Sequence, residues 1–163
     1  MSKKLVNLSK RKLPYPHKEE AEFLKPPRGM LGCESCSAVF YKKSWHHKPA
    51  AMKKRSGLTI CPACALIKNR QYEGRIIIEN TPLKLKPELV GLIKSFARKA
   101  YERDSQDRLI AIKEIGKEIQ VTTTENQLAV RLGKKIRETF KKPSLEIRQP
   151  SAPSDVVYVK LTF

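Results

Sequence analysis

The sequence predicts an α+β fold, and three observations carry that reading. All four cysteines fall into two CxxC pairs, Cys33-Glu34-Ser35-Cys36 and Cys61-Pro62-Ala63-Cys64. Two segments of the second half repeat apolar residues at three- and four-residue steps, the period of an amphipathic helix. Short β-branched runs stand between and after them. A chain of 163 residues suits one domain, or one small domain plus a module.

Residues 1–30 read as a basic, proline-containing disordered arm. Lys10, Arg11 and Lys12 and four prolines stand among few apolar residues. Proline removes a backbone donor and fixes φ, so no regular element is expected beyond a short turn around Lys18–Leu24. Such an arm suits ordering on a polyanion such as RNA, although solvated basic tails are also common.

Residues 31–74 read as a four-cysteine ribbon. In a reducing compartment, paired thiols favour metal ligation over disulfides. Four thiolates complete a closed tetrahedral Zn²⁺ site, with Zn–S distances of about 2.3 Å. Such a site has no open position, so a single structural zinc is expected rather than a catalytic one. The spacing leaves an iron–sulfur site open. A redox CxxC is disfavoured, because two pairs occur without a thioredoxin-like strand pattern. His46 and His47 are left out of the metal shell, since four cysteines already fill it.

The connecting loop interleaves aromatics and cations. It reads Phe40-Tyr41-Lys42-Lys43-Ser44-Trp45-His46-His47-Lys48, followed by Lys53-Lys54-Arg55. Cations beside aromatic faces suit a phosphate backbone with unstacked bases. Phe40, Tyr41 and Trp45 have a second use, because so small a ribbon has little else for a core. Some of the aromatics are therefore expected to be structural, with the Lys and Arg facing solvent and RNA. Lys68 and Arg70 extend the patch beyond the second pair.

Residues 75–163 read as β-α-β-β-α-β-β. Arg75–Glu79 is a short β-branched strand. Pro87 suits the first turn of a helix over 88–104, whose core face carries Leu89, Leu92, Ile93, Phe96, Ala97 and Ala100. Leu109–Ile115 and Glu118–Thr123 are strands joined by a tight Gly116-Lys117 turn. Thr124 stands three residues before Gln127, the spacing of a capping box. The helix that follows aligns Leu128, Leu132, Ile136 and Phe140 and ends before Pro143. Ser144–Gln149 and Val156–Phe163 finish as strands. This order suits a ferredoxin-like sandwich with an added edge strand. Arg131, Lys134 and Lys135 form the basic face of the second helix and are candidate RNA contacts. The helix N-terminus beside Thr122, Thr123 and Thr124 is a candidate phosphate site.

Charge narrows the function classes. Lys and Arg number 34 against 16 Asp and Glu, a formal net charge of +18. Residues 33–75 hold 9 basic and 2 acidic groups and are the most one-signed part. Such an excess favours a polyanionic partner, with nucleic acid foremost. No apolar run approaches the roughly 20 residues that span a bilayer. The first residues lack an apolar signal core, so the chain is read as cytoplasmic. No Gly-rich phosphate loop, Ser-His-Asp set or paired-carboxylate constellation argues for an enzyme. Nothing calls for a small-molecule substrate or a membrane partner.

Three features occur together: the paired CxxC knuckles, the strand Gly74-Arg75-Ile76-Ile77-Ile78-Glu79, and the run from Val121-Thr122-Thr123-Thr124 to Leu132-Gly133. In these the chain resembles the small prokaryotic relatives of the zinc-knuckle large-ribosomal-subunit nuclear export adaptor family, over about residues 30–163. The resemblance implies zinc ligation by Cys33, Cys36, Cys61 and Cys64. It also implies an α+β domain after the knuckles and association with ribosomal RNA on the large subunit. The long members have more CxxC pairs, C-terminal ribosome-binding domains and export signals. None of these has a counterpart here, so export is not implied. The expected function is that of a non-enzymatic, zinc-containing RNA-binding protein acting in ribosome assembly, hibernation or another ribosome-associated role. The alternatives are a zinc-ribbon DNA-binding transcription regulator and a protein-interaction adaptor.

Overall fold

The computed structural model of the protein describes residues 30–48, 57–152 and 154–163. The expected N-terminal arm, with Lys10, Arg11 and Lys12, and the run Lys53-Lys54-Arg55 lie outside the described residues. The described chain is a mixed α+β structure with two sheets and three α-helices.

The first sheet is small. Its strands are β1 (Leu31–Cys33), β2 (Val39–Tyr41), β3 (Ser44–His46) and β4 (Gly57–Thr59), in the order β3-β2-β1-β4. Strand β4 runs parallel to β1, with Cys33 opposite Thr59. The second CxxC pair then opens helix α1 (Pro62–Lys68), an element the sequence reading does not include. Cys61 is its N-cap, and its Sγ accepts the Cys64 N–H at 3.5 Å. Pro62 costs nothing there, because the first turn of a helix has no intrahelical partner for its N–H groups.

The second sheet follows from a regular alternation. Its elements in chain order are β5 (Gly74–Glu79), α2 (Lys86–Arg103), β6 (Leu109–Ile115), β7 (Glu118–Thr123), α3 (Asn126–Phe140), β8 (Ser144–Arg148) and β9 (Val157–Thr162). Every second residue of β5, β7 and β9 is buried: Ile76 and Ile78, Ile119 and Val121, then Val157, Val159 and Leu161. Leu89 and Ile93 of α2 and Leu132 and Ile136 of α3 complete the same cluster. Each such fully buried side chain contributes about 1.5–3 kcal/mol. Gly133 lets α3 approach the sheet, since a Cβ there would lie 2.6 Å from Val159 Cγ1.

The strand order is β6-β7-β5-β9-β8. Strands β5 and β6 flank the antiparallel β7, the split β-α-β arrangement. The other side differs from a plain ferredoxin-like sheet, where the strand after the second helix lies beside the first strand. Here β8 goes out to the edge, and β9 returns between it and β5, parallel to β5.

The expected capping box at Thr124 is not formed. The N-cap of α3 is Glu125, without a side-chain cap. Thr124 is buried, and its Oγ1 donates to the Gln106 carbonyl at 2.5 Å and accepts the Arg108 N–H at 2.9 Å. A tertiary hydrogen bond in the interior outweighs the local cap.

Candidate metal centre and basic surface

The two knuckles arrive from different kinds of backbone. Cys33 ends β1 and Cys36 follows in the turn toward β2, while Cys61 and Cys64 sit at the mouth of α1. Cys33 N–H donates to the Ala38 carbonyl at 2.6 Å, which folds the first knuckle back on itself. The four Sγ atoms all lie within 4.8 Å of one another. Cys36 and Cys61 sulfurs are 3.6 Å apart. A tetrahedron with metal–sulfur bonds of about 2.3 Å has edges of about 3.8 Å, so the cluster fits a single tetrahedral ion. All four are free thiols and none is in a disulfide. They could hold a metal ion.

Backbone donors surround the sulfurs. Ser35 N–H and Cys61 N–H both point at Cys33 Sγ, at 3.4 and 3.3 Å. Four thiolates on a divalent ion leave two net negative charges, which N–H dipoles partly offset. A full positive charge is also present. Arg108, at the start of β6, donates from Nη2 to Cys36 Sγ at 2.9 Å and from Nη1 to Cys64 Sγ at 3.4 Å. Its Nε is held by the Ser105 carbonyl at 2.9 Å, and its guanidinium lies 5.2 Å from the centre of the Tyr101 ring.

This arrangement separates the thiols in acidity. Burial pushes the Cys36 thiol up, but the Arg108 donation and the Ala38 backbone outweigh it and bring it down to about 6. Burial pushes the Cys61 thiol up to about 11. Burial also raises Cys64, more than Arg108 lowers it. Burial alone would lower the Arg108 pKa, whereas its bond to Cys36 and the sulfur field raise it. In the metal-free protein Cys36 therefore ionises well before Cys61 and Cys64.

The loop between α2 and β6 joins the two sheets. Gln106 is buried, and its Oε1 accepts the Ala63 N–H of α1 at 3.1 Å. Asp107 pairs with Arg131 of α3. On the other side His47 donates from Nε2 to the Tyr101 carbonyl at 2.5 Å and meets the Tyr101 ring edge-on at 4.7 Å. Sequence reasoning missed Gln106, Arg108 and Tyr101. No local signal marks them, because their partners lie 43 to 72 residues away in the chain.

The expected RNA-contacting residues divide into two groups. Lys42, Lys43, Lys48, Lys68, Arg70 and Lys134 are exposed. Lys42 and Lys43 form the whole two-residue turn between β2 and β3, at φ 47° and 68°. Trp45, His46, His47, Arg131 and Lys135 have partners within the fold, although His46, His47 and Arg131 are also exposed. Trp45 packs on the cysteine cluster and meets the Phe40 ring at a tilt, with centroids 5.5 Å apart. His46 bonds the Ser44 hydroxyl at 2.8 Å, His47 binds Tyr101, Arg131 binds Asp107, and Lys135 pairs with Glu138 at 3.0 Å. The threonines beside α3 are likewise engaged, with Thr123 Oγ1 donating to the Glu125 carbonyl at 2.8 Å.

Comparison with protein-family models, curated proteins and solved structures gives no match. Among the described residues no helix is long and apolar enough to cross a membrane.

Proposed function

We propose that this protein is a non-enzymatic, zinc-containing RNA-binding protein that associates with ribosomal RNA, as an assembly, hibernation or related factor. The architecture proposed for that task is a basic arm (1–30), a zinc ribbon (31–74) and a ferredoxin-like α+β unit (75–163). Four sulfur donors and no open position suit structural Zn²⁺. The reading draws on the net charge of +18 and on the resemblance of the knuckles and the Thr-rich run to ribosome-binding relatives.

One observation carries the proposal furthest. A two-residue hairpin turn with both residues at positive φ normally takes Asn-Gly. Here it is Lys42-Lys43, at a conformational cost of about 1–2 kcal/mol per residue. Backbone strain retained at an exposed tip points to function. Its effect is to present two cations at the exposed tip of the β2–β3 hairpin.

The experiment is a binding titration of the metal-loaded protein against ribosomal RNA fragments across a salt series, with co-sedimentation on ribosomal subunits. The affinity is expected to fall with a log–log slope of about −0.7 to −0.9 per phosphate neutralised. Salt-independent binding, or duplex DNA displacing structured RNA, overturns the proposal. The second result would favour a DNA-binding regulator. Zinc or iron is decided by elemental analysis of the native protein.

A further inference from the structure

A cleft of about 530 Å³ runs between α3 and β8, lined by Lys134, Arg137, Glu138, Lys141, Leu145 and Ile147. Its walls and floor differ in chemistry. Lys134 and Arg137 stand at i and i+3 on α3 and Lys141 is its C-cap, so the three cations line the cleft along about 10 Å. Among the described residues no carboxylate is ion-paired with any of the three. Glu138, the one acid in the cleft, is already neutralised by Lys135 at 3.0 Å. The floor is the half-buried pair Leu145 and Ile147.

The same two residues have free backbone groups. Val157 and Phe163 donate their N–H groups to the carbonyls of Glu73 and Glu79, so the odd-numbered residues of β9 face β5. The even-numbered residues Tyr158, Lys160 and Thr162 therefore face β8, where they pair with Arg148, Glu146 and Ser144. That leaves the N–H and C=O groups of Leu145 and Ile147 pointing outward. Strand β8 is the edge of its sheet, so among the described residues no strand takes them.

We propose that this cleft docks an extended acidic segment of a protein partner, which adds to β8 as a sixth strand. The partner's main chain would pair with Leu145 and Ile147, the mode of β-strand addition. Its side chains on the α3 side recur about every 6.6 Å, so two or three successive ones span the cationic stripe. Acidic residues there meet Lys134, Arg137 and Lys141 and lay their methylene stems on Leu145 and Ile147, while the alternate residues face away from α3. A nucleic acid fits less well. The cleft has no aromatic side chain for a base to stack on, and its apolar floor and outward carbonyls offer a phosphate backbone no donor.

The test uses the full, metal-loaded chain and a fluorescent peptide of alternating Glu and Val. A Lys/Val peptide and a twelve-nucleotide oligo(U) serve as comparison probes. The Glu/Val peptide is expected to bind saturably and to slow amide exchange at Leu145 and Ile147. The double variant Lys134→Glu, Arg137→Glu is expected to bind it at least about tenfold more weakly, with an unchanged circular dichroism spectrum. Equal binding of the Lys/Val peptide overturns the proposal, as does unchanged exchange at the two amides. Tighter occupancy of the cleft by oligo(U) also overturns it and assigns the stripe to RNA.

Discussion

Arg108 Nη2 lies 2.9 Å from Cys36 Sγ, across 72 residues of sequence. The charge that balances the cysteine cluster therefore comes from the second sheet and not from the ribbon. With Gln106 on α1 and Tyr101 beneath His47, it makes the cluster a joint between the two halves.

Replacing Arg108 by Gln is expected to weaken metal affinity about 10–100-fold, the usual effect of losing an outer-shell partner. Arg108→Lys keeps the charge but not the fork and should recover only part. Competition with a chromophoric chelator measures both. Equal affinity in all three proteins would show that the bond to Cys36 is incidental.

Cys33→Ser and Cys61→Ser should each lose the bound ion, because metal binding is coupled to local folding. The helical signal of α2 and α3 should remain. Amide protection should drop at Ser105–Arg108, whose contacts reach the cysteine cluster and α1. Hydrogen exchange with mass spectrometry resolves the two regions. Retained zinc stoichiometry in either variant contradicts the ligand assignment.

The metal-free protein should show a definite pH response. Cys36 ionises at about 6 in the fold, below the ordinary thiol value of 9.0. A depressed acid stabilises the fold above its unfolded value, so this contribution is complete above about pH 9 and disappears as pH falls through 6. Cys61 is raised to about 11, so stability is lost again between pH 9 and 11. Alkylation by iodoacetamide should begin at Cys36 with a midpoint near 6, moved upward by Arg108→Gln. First labelling at Cys61 would contradict this order.

Lys42-Lys43→Asn-Gly should separate stability from binding. The turn loses its strain at both positions, and the protein is expected to gain about 2–4 kcal/mol in denaturant unfolding. RNA affinity should fall, with the salt slope reduced by about two. Unchanged affinity would leave the strain without a purpose.

Two glycines should respond oppositely to alanine. At Gly91 a Cβ meets nothing within 4 Å, so Gly91→Ala should stabilise by about 1 kcal/mol through helix propensity. At Gly133 the Cβ would lie 2.6 Å from Val159 Cγ1, and overpacking of about 1–3 kcal/mol should cancel or exceed that gain. Thermal melts compare them directly.

The second half was the more legible part of the chain. The stripe Leu128, Leu132 and Ile136 and the alternation through Ile76 and Ile78 report burial one residue at a time, and all five are buried. The cysteine pairs were legible for the same reason, because a CxxC turn is local. Helix α1 was hidden because the second knuckle doubles as its N-cap. The position of β9 was hidden because an apolar alternation gives a strand but not its neighbours. Arg108 looked like any surface cation, and only the folded chain brings it to sulfur.

The placement of β9 bears on the order in which the protein can be made. Strand β8 touches the rest of its sheet through β9, and β9 pairs Thr162 with Glu79, 83 residues earlier in the chain. During synthesis the sheet therefore stays open until residues 157–162 have emerged, with β5 exposing an unpaired edge. Removing those residues would not trim a margin. It would leave β8 with no strand to pair with and β5 as an open edge.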